Sequence, residues 1–189
     1  MKWKLFFAVI ALSATTCTVW AQVPYPTKAR FSISANAGLP LGKLSDSHTI
    51  AFGGFLQETI PVYKALAITI NAGYTKFKGE SNVDGRSPLD PIIDFPDIDM
   101  LAAKAGLRYF IHPKIYLQAD AGIAYVLNSP QTSYDAAKAF IYSPQIGVQF
   151  PVATKSLLDL ALKYEATNRY GGAFRGNVST MGINIAFGF

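Results

Sequence analysis

The sequence predicts an all-β protein, an eight-stranded antiparallel up-and-down transmembrane β-barrel with both chain termini on the periplasmic side. Three observations predict this fold class. Apolar and polar residues alternate with a period of two in eight segments. The connections between these segments alternate in length. Half of the residues are hydrophobic, yet after the N-terminal region no segment has the run of about 20 apolar residues that a transmembrane helix needs.

The N-terminal region has the composition of a secretory signal peptide. Lys2 and Lys4 precede a short apolar run, and a Val-Trp-Ala sequence then predicts cleavage between Ala21 and Gln22. The expected organisation is a signal peptide over residues 1–21, a short periplasmic extension over 22–29, and an outer-membrane barrel over 30–189. A retained anchor, or a lipoprotein acylated at Cys17, are the alternatives.

Composition and charge exclude several classes of site. Cys17 is the one cysteine and lies in the segment expected to be removed, so neither a disulfide framework nor a thiol site is predicted. Loss of Lys2 and Lys4 lowers the 17 basic residues to 15 against 12 acidic ones, a net charge of about +3. This charge is too small to indicate nucleic-acid binding, and no nucleic-acid partner is expected.

The first four strands follow from the alternation. In residues 30–39 the odd-numbered positions are apolar and the even-numbered ones small or polar. In residues 49–60 the even-numbered face is apolar except for Glu58, which predicts a bulge or register shift there. In residues 66–77 the even-numbered positions up to Tyr74 form the apolar row. In residues 100–111 the odd-numbered positions do so.

The last four strands repeat the pattern. Residues 115–126 present an apolar odd-numbered row, and residues 139–150 an apolar even-numbered row that contains Pro144. A proline inside a strand is tolerated at a weak or bulged position of the ladder. Residues 157–166 place leucines on the even-numbered face. Residues 178–189 carry an apolar odd-numbered row that continues to the end of the sequence.

The connections provide a signal that is independent of hydrophobicity. Those after the second, fourth and sixth strands are short, and those after the other strands are longer and polar. Bacterial outer-membrane barrels have short periplasmic turns and long outer loops, which predicts periplasmic termini. The short connections are residues 61–65, 112–114 and 151–156, and the longer ones are 40–48, 78–99, 127–138 and 167–177.

The C-terminal strand carries a family resemblance. It ends in Ile183-Asn-Ile-Ala-Phe-Gly-Phe189, with Ile183, Ile185, Phe187 and Phe189 on one face. With the eight segments and the loop asymmetry, this tail makes residues 31–189 resemble the small eight-stranded outer-membrane β-barrels, the OmpA/OmpX/OmpW-like proteins of the porin family. The resemblance implies that the tail is read by the barrel-assembly machinery, with Phe189 as its key residue.

The resemblance also implies the surroundings of the protein, without deciding its activity. We expect contact with outer-membrane lipid and lipopolysaccharide, a monomeric barrel, and outer loops whose ligand is unknown.

Six charged residues fall on the face opposite the apolar rows and are expected inside the barrel. Eight strands enclose a lumen that side chains nearly fill, so opposite charges there have to pair. A salt-bridged plug is the favoured interpretation, and a narrow polar conduit for ions or small solutes is the alternative. The six residues are Lys104, Arg108, Asp120, Asp159, Lys163 and Glu165.

The sequence provides few candidates for chemistry. The acidic connection 78–99 does not match a calcium-binding loop, so it is interpreted as a solvated surface loop whose apolar residues cap the mouth or contact a partner. His48 and His112 are the two histidines and fall at opposite rims. The resemblance implies one possible activity, because some members of that family are lipid A-modifying enzymes that use a histidine and a serine near the outer leaflet. Ser45 and Ser47 precede His48 at a suitable height, but adjacency alone defines no nucleophile–base pair. No catalytic residue, metal or cofactor is predicted. The expected function is a structural or interaction scaffold, ahead of a low-conductance channel and a lipid A-modifying enzyme.

Overall fold

The computed structural model describes residues 27–80, 94–128, 138–168 and 177–189. Eight antiparallel strands form a closed barrel in chain order. No helix within these residues is both long and apolar enough to cross a membrane. The strands are β1 (Arg30–Pro40), β2 (His48–Tyr63), β3 (Leu66–Gly79), β4 (Ile98–His112), β5 (Ile115–Val126), β6 (Lys138–Pro151), β7 (Leu157–Thr167) and β8 (Ser179–Gly188), and a short 3-10 helix (Gly42–Asp46) joins β1 to β2.

All eight predicted strands are present, and most extend beyond the predicted bounds. The β2–β3 connection shrinks to Lys64 and Ala65, because the strand continues through Pro61 and Val62. Lys64 has a φ of 36°, the sign that tight hairpin turns require. We call the end of the barrel that holds the β2–β3, β4–β5 and β6–β7 turns the short-turn end, and the opposite end the long-loop end.

The barrel closes because β1 pairs with β8 as well as with β2. The pairing is staggered, so that a path around the barrel does not return to its starting residue. A path that starts at Phe31 of β1 and follows paired residues from strand to strand comes back ten residues further along the chain, at Leu41, directly after the end of β1. The Leu41 N–H donates to the Ser179 oxygen at 2.9 Å. Such a stagger tilts the strands relative to the barrel axis. The path runs Phe31, Glu58, Ile70, Ala105, Ala121, Tyr142, Ala166, Ser179.

The prediction of a bulge at Glu58 is wrong. The β2–β3 register is continuous from Ile50 to Pro61, and its two shifts lie beyond these residues, at the strand ends. Glu58 keeps its place on the outer face, opposite Phe31 of β1. It is half-buried and lies near the short-turn end, so its carboxylate can reach the rim without a change of register.

Pro144 interrupts one ladder and leaves the other intact. On the β5 side it pairs in register with Ala119. On the β7 side pairing stops after Tyr142 and resumes at Gln145 with the register unchanged. Proline has no N–H to donate to the ladder, and this gap in the β6–β7 pairing is the weak position that the sequence predicts at Pro144.

The faces of the barrel are inverted relative to a soluble domain. Along each strand, exposed apolar residues alternate with buried ones, and 32 large hydrophobic side chains of the described residues are exposed. The outward rows include the odd-numbered residues of β1, β4, β5 and β8, as predicted. A patch of this extent around a whole barrel is far larger than the scattered apolar residues of a soluble surface.

Candidate functional site

All six charged residues expected inside the barrel are buried there. They come from three strands: Lys104 and Arg108 from β4, Asp120 from β5, and the other three from β7. Each has a relative exposure of 8% or less. Three positive charges face three negative ones, so the interior set is neutral as a whole. We call these six residues the interior ionic network.

Two lysines share one carboxylate at the first centre of the network. Lys104 Nζ contacts Glu165 Oε2 directly, and Lys163 Nζ lies 3.3 Å from the same oxygen. Both ammonium groups also lie 4.6 Å from the centre of the Phe55 ring. The aromatic face therefore complements the positive charge that a single carboxylate leaves unbalanced.

The second centre is an arginine–aspartate pair with additional donors. Arg108 Nη1 donates to Asp159 Oδ2 at 3.0 Å, and Gln149 Nε2 donates to the same oxygen at 3.1 Å. The Tyr116 hydroxyl donates to Asp159 Oδ1 at 2.5 Å. The Arg108 guanidinium stacks 3.8 Å above the Tyr116 ring. Asp159 thus has a donor on both oxygens, as a buried carboxylate requires.

Asp120 is held by neutral donors. The Thr69 hydroxyl donates to its Oδ1 at 2.6 Å, and Gln118 Nε2 donates to its Oδ2 at 2.7 Å. Gln118 also accepts a hydrogen bond from Arg108 Nε at 2.6 Å, and so connects Asp120 to the second centre. Its amide further donates to Gln57 at 2.9 Å. A continuous path of side chains therefore joins β2 to β7, through Gln57, Gln118, Arg108 and Asp159.

Sequence reasoning missed the neutral side chains that form hydrogen bonds with the interior ionic network. Tyr116, Gln118 and Gln149 have the inward phase on their strands, next to charged positions, and this phase was the available signal. This phase did not show which inward residues form hydrogen bonds with the charged ones, because a period of two identifies the face of a strand and not the partner across the lumen.

Apolar side chains close the interior beyond the ionic network. The inward residues of β4 run apolar, charged, apolar along the strand, from Ile98 through Lys104 and Arg108 to Phe110. Towards the short-turn end, Phe110 packs edge-on against Tyr116, with ring centres 6.0 Å apart. Towards the long-loop end lies a larger cluster, which includes Leu44, Phe55, Phe77, Ile98, Met100, Val126, Ile141 and Val178.

Some polar atoms of the interior have no partner. Six buried side-chain oxygen or nitrogen atoms of the described residues form no hydrogen bond. Buried polar groups usually require one, and water is the ordinary partner where protein supplies none. These atoms belong to Asn36, His48, Asn71, Thr75, Ser143 and Gln145.

A second charged cluster lies at the long-loop end, on the outside of β3 and β4. Lys76 bridges Asp97 at 3.2 Å and Asp99 at 3.3 Å, and Lys78 lies 3.4 Å from Asp97. Partial burial by itself raises the pKa of Asp97. The hydrogen bond from the Gly79 N–H and those from the two lysines outweigh it, so the pKa lies below its usual value.

His48 lies at the mouth beside this cluster. Its ring is buried, and Nδ1 lies 2.8 Å from the Ser47 hydroxyl, which is also 3.3 Å from the Leu44 oxygen. No carboxylate of the described residues forms a hydrogen bond to the ring. A serine and a histidine are therefore in contact, without the orienting acid that a nucleophile–base pair normally has.

The remaining predicted sites are placed as follows. Ile183, Ile185, Phe187 and Phe189 all point outward with more than two-fifths of their surface exposed. Ala21 and Gln22 and most of the connection 78–99 lie outside the described residues. Within the described ranges, no group of three or more potential metal ligands is present.

Comparison with known proteins identifies the fold. No protein-family model and no curated protein matches the chain. Among solved structures, the outer membrane enzyme PagL is similar over 82% of this chain and 97% of its own, with a TM-score of 0.58 and 12% identity. Neisserial surface protein A is similar over 85% and 94%, with a TM-score of 0.55 and 15% identity.

A third structure gives the same result. The outer membrane protein OprG from Pseudomonas aeruginosa is similar over 87% of this chain and 96% of its own, with a TM-score of 0.52 and 10% identity. At these identities the likeness concerns the backbone, and it agrees with the closed barrel of eight strands described above. The chain therefore has the fold of the small eight-stranded outer-membrane β-barrels.

Proposed function

We propose that the protein is a monomeric outer-membrane barrel that acts as a structural or interaction scaffold, with a closed lumen and loops displayed at the cell surface. One observation carries the proposal: the apolar side chains are outside and the ionic groups are inside. Burying six charges is costly unless each is paired or hydrogen-bonded, and exposing an apolar belt is costly unless lipid covers it. A barrel set in a hydrocarbon layer satisfies both conditions.

The asymmetry of the connections supports the orientation. The three turns at the short-turn end have between two and five residues, whereas the connections at the opposite end have seven or more, the shortest being the one that holds the 3-10 helix. Outer-membrane barrels direct their short turns to the periplasm. In this orientation both ends of the barrel domain face the periplasm, and the Lys76–Asp97 cluster lies at the level of lipopolysaccharide.

The closed lumen supports the scaffold role. An eight-stranded barrel has an interior just wide enough for side chains. Here the ionic network spans the interior from β4 to β7, and apolar clusters lie on either side of it. An ion crossing this interior would have to break paired charges and then pass an apolar layer. Both steps oppose conduction.

Single-channel recording tests the proposal. The barrel, refolded in detergent and inserted into a planar bilayer, is expected to give no steady unitary currents under an applied voltage. A larger porin, recorded in the same bilayer, is the positive control for insertion and detection. Steady unitary currents from the folded barrel would contradict the closed lumen. Recovery in the outer-membrane fraction, with heat-dependent migration on a gel, tests the location separately.

A low-conductance channel is the second candidate, and the unpartnered interior atoms favour it. Asn71 and Thr75 on β3, and Ser143 and Gln145 on β6, are buried polar side chains that water would satisfy. A hydrated interior is one requirement of a conduit. The apolar cluster at the long-loop end would still have to open. Conductance that rises when Phe55 is replaced by alanine would favour this candidate over the scaffold.

The Ser47–His48 contact is the observation that bears on catalysis. PagL is described as an outer membrane enzyme, and its fold is similar to this one. The buried ring of His48 faces the interior, however, whereas lipid chains lie outside the barrel. The proposal therefore assigns it no catalytic role. Mass analysis of lipid A should give the same profile with the wild type and with His48→Ala, and a changed profile would establish an enzyme.

The outward row of β8 has its own proposed partner. Ile183, Ile185, Phe187 and Phe189 are exposed on one face, which suits recognition by the barrel-assembly machinery during insertion. After insertion, the same residues would contact lipid.

A further inference from the structure

A cavity of about 250 Å³ opens at the short-turn end of the barrel. It lies between the approach to β1, the β4–β5 turn and the β6–β7 turn. Leu157 and Gln149 are inward-facing strand residues, so the cavity is on the lumen side of the wall and opens at the rim of the barrel. Its lining is formed by Thr27, Arg30, Pro113, Gln149, Pro151, Ala153, Thr154, Lys155, Ser156 and Leu157.

The charged groups of this lining are both basic. Arg30 and Lys155 line the cavity, and no acidic residue does. Within the described part of the chain, no carboxylate lies within ion-pair distance of either side chain. Lys114 belongs to the adjoining β4–β5 turn, and its backbone oxygen accepts the Gln149 N–H at 2.7 Å. Lys28 lies two residues before Arg30.

The other basic residues show that this arrangement is unusual in the molecule. The interior cations Lys104, Arg108 and Lys163 all have carboxylate partners, and so do Lys76 and Lys78 at the long-loop end. Among the described residues, seven lysines and arginines form no ion pair. Five of these lie at the short-turn end, at positions 28, 30, 64, 114 and 155. Most of the described cations without an ion-pair partner therefore lie at the end of the barrel that holds this cavity.

Neutral donors complete the lining. Thr154 and Ser156, each of which carries a hydroxyl group, belong to the cavity wall. Among the described residues, the backbone N–H groups of Thr154 and Lys155 donate to no backbone oxygen, whereas the neighbouring Ala153 N–H bonds Ser156. A ligand with several acceptor oxygens would satisfy these donors together with the guanidinium of Arg30.

The floor of the cavity does not supply a competing anion. Asp159 borders the water-sized space of about 20 Å³ that lies beneath it, together with Arg30 and Gln149. Both oxygens of Asp159 already accept hydrogen bonds, from Arg108, Gln149 and Tyr116. Asp159 therefore does not neutralise Arg30 and Lys155, which remain available to an anionic ligand.

We propose that this cavity, between Arg30 and the β6–β7 turn, is a binding site for a phosphate-type oxyanion carried by a small molecule or a lipid headgroup. The site is distinct from the ionic network and does not depend on whether the lumen conducts. In the proposed orientation it opens to the periplasm. The arginine fork and the ammonium group supply the charge, and the hydroxyl and free amide groups supply the remaining donors.

Amide NMR chemical shifts test the site. The barrel is refolded in a maltoside detergent, which has no phosphate, and titrated with inorganic phosphate and with glycerol 3-phosphate. We expect saturable shifts at Thr154, Lys155 and Ser156. The double variant Arg30→Gln, Lys155→Gln should bind about tenfold more weakly or worse, since two charge-assisted contacts are lost. Lys43→Gln with Lys138→Gln, at the opposite end, is the matched control and should bind like the wild type.

Bilayer nanodiscs distinguish the two sources of the phosphate group. Discs of phosphatidylcholine alone are compared with discs that also contain phosphatidylglycerol. Saturation by soluble phosphates supports a small-molecule ligand. Shifts that appear only with phosphatidylglycerol, and disappear in the double variant, support a lipid headgroup. The proposal is overturned if neither source shifts these amides, if the double variant binds like the control, or if acetate produces the same saturable shifts. Native gel migration of each variant establishes that it is folded.

Discussion

The interior ionic network makes a sharp prediction at Glu165. This carboxylate is 3% exposed and is the acceptor for both Lys104 and Lys163, which are 5% and 8% exposed. Glu165→Ala removes the acceptor and leaves two ammonium groups buried side by side. The Phe55 ring, 4.6 Å from each, and the Asp120 carboxylate, which attracts Lys163, then remain to favour their charge.

The size of the effect follows from the burial. Breaking a buried ion pair by removing one partner costs about 3–5 kcal/mol, because the other partner keeps its desolvation penalty. Because Glu165→Ala leaves two lysines without their carboxylate, we expect it to lower the free energy of unfolding by an amount in the upper part of this range, about 4–5 kcal/mol. Removing all three charges removes the penalty as well. The triple variant Lys104→Met, Lys163→Met, Glu165→Leu should therefore recover most of the stability.

Equilibrium unfolding in urea measures these differences. Trp3 and Trp20 both precede the predicted cleavage site, so circular dichroism or gel migration has to replace tryptophan fluorescence. Glu58→Ala is the control, since Glu58 is half-buried on the outer face and pairs with no cation of the described residues. A loss below about 1 kcal/mol for Glu165→Ala, the range of exposed pairs, would mean that the network is solvated and the plug interpretation is wrong.

Three further predictions concern other parts of the barrel. The contacts of Asp97 hold its pKa below the usual value, so they stabilise the fold above about pH 4 and this stabilisation is lost as the pH falls below it. The free energy of unfolding should therefore differ less between pH 6 and pH 3 in Asp97→Asn than in the wild type. A Cβ at Gly106 would overlap Ala119 and Asp120, so Gly106→Ala should destabilise by about 1–3 kcal/mol in urea unfolding. At Gly54 the nearest atom is 3.3 Å away, and Gly54→Ala should have a much smaller effect. Phe189→Ala should lower the amount of barrel in the outer-membrane fraction without changing its stability once folded, and an unchanged amount would contradict an assembly signal.

The strands were predictable because their pattern is local. A period of two marks the buried and exposed faces without reference to any other strand, and the rows of β1, β4 and β8 follow it along their length. The prediction of a bulge at Glu58 is wrong because it interprets a charged residue on an apolar face as a sign that the register shifts there. At the end of a strand, a charged side chain reaches water from either face.

The pairing inside the barrel could not be predicted in the same way. Lys104–Glu165 and Arg108–Asp159 both join β4 to β7, which are not neighbours in the sheet. Which residues meet across the lumen depends on the stagger of all eight strands, and the sequence contains no local signal for it. The same limit applies to the cavity of Arg30 and Lys155, because its walls come from segments more than a hundred residues apart.

The distribution of paired and unpaired charge indicates where recognition takes place. Inside the barrel, three cations and three anions are enclosed with neutral donors, so a ligand that entered would have to displace contacts of equal or better geometry. At the long-loop end, the described lysines of β3 are already bound to Asp97 and Asp99. The short-turn end differs, because none of its basic side chains has an acidic partner among the described residues, whereas at the long-loop end Lys43 and Lys138 are the described cations without one. Among the described residues, the cations without an acidic partner therefore lie mainly at the end that the proposed orientation places in the periplasm, where they can attract a soluble anion.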